Sequence, residues 1–244
     1  RNTVYQYDWN GEKLTNPILI KELPDTVTEH NGGVITTGLN NEIYFVVGAP
    51  DTTIFPNIPF VHEIGIIFKI DTESNNNIEM FAIGIRNSFG LAVDPVTGYL
   101  YDTENGPEIF DELNLVKPEF NSGWSNIMGP TDRMCADEKL TQLPACFADS
   151  TSLTLNPDYS GNFVYNDPEF SWYTSVGLTA IAIPGNDNFR KYSDSLFVGD
   201  YNNGRIYKFQ LNADRTGFIF SNPELSDRVL DYSSKINEII FAEN

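Results

Sequence analysis

Apolar and polar positions alternate with period two along several short stretches. Thr3 to Trp9 is the first, and it stops at Asn10-Gly11, a turn signal. The shape returns at Ile66–Asp71 and again from Arg205 to Asn212, each time ending in an acidic or amide turn. A second shape is an apolar strand running into a Gly or acidic turn, as at Ile43–Gly48, Tyr99–Asp102 and Leu196–Asp200. Leu91-Ala92-Val93, the Asp94–Gly98 turn and Tyr99–Tyr101 read as a hairpin. The spacing of the first shape fits a repeat of roughly 65–70 residues with one degenerate copy. Strands of this length in such a repeat, without a long helical period, predict β-propeller blades. A β-sandwich is the alternative, but it does not predict the repeat. The one helix-like stretch, Ser233–Ala242, reads as a turn plus a short helix or strand.

Composition narrows the class. Hydrophobic residues make up 41% of the 244 and aromatic residues 13%, enough for a sizeable core and not the mark of disorder. Fifteen Lys and Arg stand against 34 Asp and Glu, a formal net charge of −19. That balance argues against nucleic acid and against an anionic membrane surface. No apolar run reaches the roughly 18 residues of a membrane span. The first residue is Arg and the chain opens inside a strand pattern, so a processed or truncated chain is expected.

The stretch richest in chemistry runs from Ala82 to Trp124. Arg86 offers a fixed fork of donors. Gly106-Pro107 leaves carbonyls that no ladder uses, and with the nearby carboxylates Asp111 and Glu112 these suit a hard cation such as Ca²⁺. Read from residue types alone, the same features also describe a surface loop with a cap and an ion pair. Glu29-His30-Asn31-Gly32-Gly33 supplies a histidine suited to proton transfer beside a flexible bend. A histidine that caps a turn is the other reading of His30. The only other histidine is His62.

The run GIRNSFGLAVDPVTGYLY, followed by ENGP, DELN and NSGW, resembles the soluble glucose dehydrogenase and aldose sugar dehydrogenase family, also called the glucose/sorbosone dehydrogenases. These enzymes use pyrroloquinoline quinone (PQQ). The resemblance runs from near His30 to about Leu211. It implies a six-bladed, all-β propeller of the quinoprotein sugar dehydrogenase type. This chain, as one domain over 1–244, would cover about four blades, with the first and closing blades partly or wholly absent.

The implied reaction is oxidation of the anomeric carbon of an aldose sugar to a lactone, with electrons passing to an external acceptor. His30 and Arg86 would be catalytic. Arg86, Asn87, Trp172, Ser175 and Asn202 would contact PQQ. The Gly106 and Pro107 carbonyls would hold Ca²⁺, and Asp111 and Glu112 would help hold a second, structural Ca²⁺. Family members commonly carry Asp where Glu29 stands. The glucose dehydrogenases carry a PQQ-binding Lys in the turn where this chain has Asn202 or Asn203. An amide cannot offset a carboxylate's charge, and PQQ carries three carboxylates. That departure keeps open a non-catalytic propeller that serves as a binding or scaffold module.

The polar stretch from Pro130 to Tyr165 reads as a long excursion between strands, of the kind that forms lids or binding loops. It holds both cysteines. Spacing alone leaves two free thiols as open as a staple, and Cys-x10-Cys without clustered His is a poor zinc site. In an acidic chain exported from the cytoplasm, Cys135 and Cys146 are expected to form a disulfide.

Overall fold

A computed structural model describes residues 2–23, 29–49, 63–74, 76–124, 126–134, 163–185, 189–225 and 227–230. His62, both cysteines and the Ser233–Ala242 stretch lie outside the described residues.

The described residues build four sheets. Strands β1 (Asn2–Trp9) and β2 (Leu14–Leu23) form an antiparallel hairpin. The Asn10 side-chain carbonyl closes its turn by accepting from the Glu12 and Lys13 N–H groups. The second sheet is a meander of β3 (Ile35–Thr37), β4 (Ile43–Val47), β5 (Ile66–Asp71) and β6 (Asn77–Ile83). The third is a meander of β7 (Ser88–Val93), β8 (Leu100–Glu104) and β9 (Ile109–Val116).

Two short parallel strands, β10 (Phe120–Asn121) and β11 (Val164–Tyr165), extend the second sheet at its outer edge. The one-turn helix α1 (Thr131–Met134) follows β10. Asp167 accepts from the first N–H of this helix at 3.0 Å, which satisfies an otherwise orphaned donor. β12 (Phe170–Thr174) is the fourth strand of the third sheet, antiparallel to β9. The fourth sheet is β13 (Leu178–Ala182), β14 (Ser195–Asp200) and β15 (Ile206–Gln210). β16 (Val229–Leu230) runs parallel to β12 on the edge of the third sheet.

The sheets pack face to face in chain order. β4 explains why, because its alternate residues serve two apolar layers. Phe45 and Val47 join Ile66, Phe68 and Leu23 in the layer toward the hairpin. Tyr44 and Val46 join Leu91, Leu100 and Val116 in the layer toward the third sheet. A third layer sets Leu113, Phe170 and Trp172 against Leu178, Leu196, Val198, Tyr207 and Phe209 of the fourth sheet. Each fully buried Leu, Ile or Phe contributes about 1.5–3 kcal/mol. Strands buried on both faces read as continuous apolar runs, as Ile43–Val47 does.

One sequence expectation is corrected. The third strands of the three meanders are β5, β9 and β15, which begin at residues 66, 109 and 206, so no fixed 65–70-residue period is present. β1, taken as the first copy, belongs to the hairpin instead. The residues between β10 and β12 fall between the third and fourth strands of one sheet. An insertion there spoils the period and leaves the pairing intact.

A buried ion pair ties the third sheet to the fourth. Arg215 donates to Asp94 at 2.5 Å and to Asp194 at 2.9 Å. The side chains of Arg215 and Asp94 are 6% and 0% exposed. Arg215→Met leaves the Asp94 carboxyl buried without its guanidinium partner. It should cost about 3 kcal/mol in urea unfolding.

Candidate functional site

The three inner strands β3, β7 and β13 begin at the same end of the structure, and their antiparallel neighbours β4, β8 and β14 finish there. A meander therefore delivers pairs of loop residues to one end, sheet after sheet. At that end lies a cavity of about 460 Å³ lined by His30, Arg86, Asn87, Phe89, Asn105, Gly106, Gly177, Leu178, Thr179 and Tyr201. His30 precedes β3, Arg86 precedes β7 and Gly177 precedes β13. Asn105 and Gly106 follow β8, and Tyr201 follows β14.

His30 and Arg86 are brought together by Gly48 and Ala49, the residues just after β4. Gly48 N–H donates to the His30 carbonyl at 3.0 Å, and Ala49 N–H donates to the Arg86 carbonyl at 2.9 Å. The Ala49 carbonyl lies 2.6 Å from His30 Nδ1. A carbonyl only accepts, so Nδ1 carries the proton and Nε2 is left as the basic nitrogen. Nε2 stands 3.9 Å from the Glu29 carboxylate. The His30 backbone is in the left-handed region at φ 56°, uncommon outside glycine. A Cβ on Gly48 would strike the Arg86 carbonyl and stand 2.9 Å from the His30 Cβ, so this close approach needs glycine.

Arg86 is buried. Its Nη1 donates to the Asn105 carbonyl at 2.7 Å, and its guanidinium lies over the Trp124 ring, 5.2 Å from the centroid. Asn87 lines the cavity and receives the Asn105 N–H on its carbonyl at 2.9 Å. The Asn105 side chain crosses to the next sheet and donates to the Leu178 carbonyl at 3.0 Å.

The other singled-out residues occupy different places. Trp172 lies in the core between the third and fourth sheets, 1% exposed, edge-to-face with Phe170, Tyr207 and Phe209. Its ring is a core side chain there and not part of the cavity wall, because β12 is the outermost strand of its meander. Ser175 and Asn202 dock on each other just behind the wall, with Asn202 Nδ2 donating to the Ser175 carbonyl at 3.2 Å. The wall itself is made by their neighbours Gly177 and Tyr201. Tyr201 is 82% exposed and Phe89 53%, so two open aromatic faces stand where Trp172 was expected to offer one. Asn105 and Gly177 also escaped the sequence reading. Asn105 belongs to the quoted Glu-Asn-Gly-Pro run, and Gly177 marks a bend just before a strand.

Asp111 and Glu112 are neighbours on β9 and therefore point to opposite faces. They do not converge. Asp111 is saturated by backbone donors, from Gly106 at 2.9 Å, Val176 at 2.7 Å and Gly177 at 2.8 Å. Burial raises its pKa, and those donors hold it down. Asp111 thus pins Gly106 to the start of β13. The Gly106 and Pro107 carbonyls accept no backbone hydrogen bond among the described residues.

Glu112 faces a second group of carboxylates. It pairs across the ladder with Glu104, and Asp102 lies two residues before Glu104 on the same face. All three are at most 1% exposed. Ser122 Oγ bridges Glu104 at 2.6 Å and Glu112 at 3.2 Å. Burial pushes Glu104 up to about 7. Burial, followed by the charge of Glu104, raises Asp102 and Glu112 well above the usual carboxylate range. No group of three His, Cys, Asp or Glu side chains has metal-binding geometry among the described residues.

Together these features define an all-β propeller of the quinoprotein sugar dehydrogenase type, with its cavity at the ends of the inner strands. The chain belongs to the Glucose / Sorbosone dehydrogenase family, which it matches over residues 3–231. It is 26% identical over 145 residues to an aldose sugar dehydrogenase of Escherichia coli (strain K12), across 59% of this chain and 34% of that protein. It is 27% identical over 157 residues to quinoprotein glucose dehydrogenase B of Acinetobacter calcoaceticus, across 52% of this chain and 32% of that protein. These matches span about a third of each curated relative's length.

Among solved structures, a PQQ-bound aldose sugar dehydrogenase from Streptomyces coelicolor superposes with a TM-score of 0.58 at 22% identity. The match covers 91% of this chain and 59% of that one. The apo form of the soluble enzyme from Escherichia coli gives 0.60 at 20% identity, covering 93% and 64%. No described helix is long and apolar enough to cross a membrane.

Two outcomes follow from this geometry. Gly48→Ala should cost about 1–3 kcal/mol in urea unfolding, because the Arg86 carbonyl and the His30 backbone must both move. The second concerns pH. Glu104 has a folded pKa of about 7 against an ordinary 4.5, and Asp102 and Glu112 shift in the same direction. The folded state therefore keeps protons that the unfolded chain releases. The stability that these groups contribute is full below the ordinary carboxylate range and is lost as pH rises through about 7. Urea midpoints should be higher at pH 5 than at pH 8, and Asp102→Asn should shrink the difference. An unchanged difference in Asp102→Asn would contradict the assignment.

Proposed function

We propose that the protein is a PQQ-dependent oxidoreductase that oxidises the anomeric carbon of an aldose sugar to a lactone. The observation that carries this reading is the grip of Gly48 and Ala49 on both His30 and Arg86 at one cavity. The residues present suit the cofactor. PQQ is flat and anionic, and the wall offers an arginine, the amides of Asn87 and Asn105, the open rings of Phe89 and Tyr201, and glycines at 106 and 177. The Gly106 and Pro107 carbonyls, which accept no backbone hydrogen bond among the described residues, suit a hard cation such as Ca²⁺. The Streptomyces coelicolor relative is described as PQQ-bound, and one fold neighbour from Trichoderma reesei as a calcium structure.

In this reading His30 Nε2 accepts the proton of the anomeric hydroxyl, and the Nδ1–H bond to the Ala49 carbonyl holds the ring in that tautomer. Arg86 is buried at the cavity wall, where its positive charge suits oxygens on which negative charge develops. PQQ held by Arg86, Asn87 and Asn105, with Ca²⁺ on the Gly106 and Pro107 carbonyls, would supply a quinone able to take up the hydride of the anomeric carbon. The aldose leaves as the lactone, and an external acceptor takes the electrons. The same reading proposes an extracytoplasmic protein.

His30→Ala should lower kcat by about a hundredfold or more while PQQ still binds, measured by dye reduction with an aldose, PQQ and Ca²⁺ and by identification of the lactone. An unchanged kcat, or a product other than the lactone, would refute the assignment. Asn202 stands in the turn where a Lys is expected, and a charge-assisted hydrogen bond contributes about 1.5–3 kcal/mol. Asn202→Lys should therefore tighten PQQ binding about tenfold to a hundredfold in a titration with Ca²⁺. If the wild-type protein takes up no PQQ with or without Ca²⁺, the propeller is a binding or scaffold module.

A further inference from the structure

The turn from Asn121 to Trp124 does not line the cavity, yet two independent contacts lead from it to Arg86. One runs through a carboxylate. Ser122 Oγ donates to Oε2 of Glu104 at 2.6 Å, and Oε1 of Glu104 accepts from the Arg86 backbone N–H. Glu104 is 0% exposed, so this strut lies out of competition with water. The other contact is the Trp124 ring, on which the guanidinium stacks at 5.2 Å while Nη1 holds the Asn105 carbonyl.

The turn is itself fixed. Gly123 N–H donates to the Asn121 side chain at 2.9 Å, with Gly123 at φ 105°. Trp124 N–H donates to the carbonyl of Gly84, two residues before Arg86, at 3.0 Å. A Cβ on Gly84 would strike the Asn121 side chain and stand 2.7 Å from the Gly123 nitrogen, so the two turns are pressed together. Ile109, Phe110, Ile127 and Met128 form the apolar bed against which Trp124 packs. An arginine on an open cavity would otherwise sample several rotamers and lose that freedom on binding a ligand.

We infer that the Asn121–Trp124 turn is the positioning element for Arg86. Ser122, acting through Glu104, sets the height of the Arg86 main chain, and Trp124 sets the guanidinium plane. Ser122 and Trp124 act through Arg86 and are not among the residues that line the cavity. The inference rests on the reading of Arg86 as the group that meets the cofactor.

The first test needs no cofactor. The rate at which an arginine-selective dicarbonyl modifies Arg86 is followed by peptide mass spectrometry on the ligand-free protein. Trp124→Leu should speed the modification about three- to tenfold, Trp124→Phe should stay within about twofold of wild type, and Ser122→Ala should move the rate in the same direction as Trp124→Leu. An unchanged rate in both Trp124→Leu and Ser122→Ala, with native circular dichroism, overturns the proposal.

The second test is a double-mutant cycle on PQQ affinity. Trp124→Leu should weaken binding about three- to tenfold when Arg86 is present and less than about twofold in Arg86→Ala. Equal losses in both backgrounds overturn the proposal, because the ring would then act independently of Arg86. If Arg86→Ala leaves PQQ affinity unchanged, the cofactor-contact reading fails by itself, and the modification rates alone decide whether the turn positions Arg86.

Discussion

Ala49 N–H reaches the Arg86 carbonyl at 2.9 Å, and the Ala49 carbonyl receives Nδ1 of His30. The bond to Arg86 crosses from the second strand of one sheet to the lead-in of the next sheet's inner strand. The third sheet repeats the arrangement, where the Asn105 side chain after β8 bonds the Leu178 carbonyl at the start of β13. Neighbouring sheets are thus stitched at the cavity end by groups that belong to the loops lining it. The apolar layers hold the sheets face to face, and the stitches fix how the loop residues of one sheet stand against those of the next. A Cβ on Gly48 would strike the Arg86 carbonyl and crowd the His30 Cβ, so Gly48 cannot accept a side chain without parting His30 from Arg86.

Charge is distributed unevenly around that constraint. The chain carries a formal net charge of −19, yet the cavity wall presents arginine as its charged residue, together with histidine, amides, glycines and open aromatic rings. Beneath the wall, Asp102, Glu104 and Glu112 are buried together, and burial favours their protonated forms. Glu104 nevertheless grips the Arg86 main chain. Glu104 thus helps hold the cation above, and burial keeps these carboxylates from adding negative charge at the cavity that would repel an anionic ligand.

Much of this was legible in the chain itself. Alternating and continuously apolar runs located the strands, because period two and double-sided burial leave different marks. The Arg-Asn, Glu-Asn-Gly-Pro, Asp-Glu-Leu-Asn and Asn-Ser-Gly-Trp segments pointed to the family. The repeat length was not legible, because an insertion between the third and fourth strands of one sheet hides it. Trp172 could be read either as core, the usual fate of an aromatic, or as a stacking wall for a flat ligand, and the place of β12 at the outside of its meander decides for core. Asp111 and Glu112 looked like a pair of ligands, and strand alternation sends them to opposite faces. The aromatic faces that do line the cavity, Phe89 and Tyr201, carried no spacing signal, since each is a lone residue in a loop or at a strand start.

We propose that His30 and Arg86 share one site where an aldose gives up hydride to PQQ. The most direct measurement is the anaerobic reduction of the PQQ- and Ca²⁺-loaded protein by an aldose carrying deuterium on its anomeric carbon, followed by visible absorbance. The account predicts reduction that is several-fold slower with the deuterated sugar and that nearly vanishes in His30→Ala. A reduction rate that does not depend on His30, or an absorbance that the aldose never changes, would contradict it.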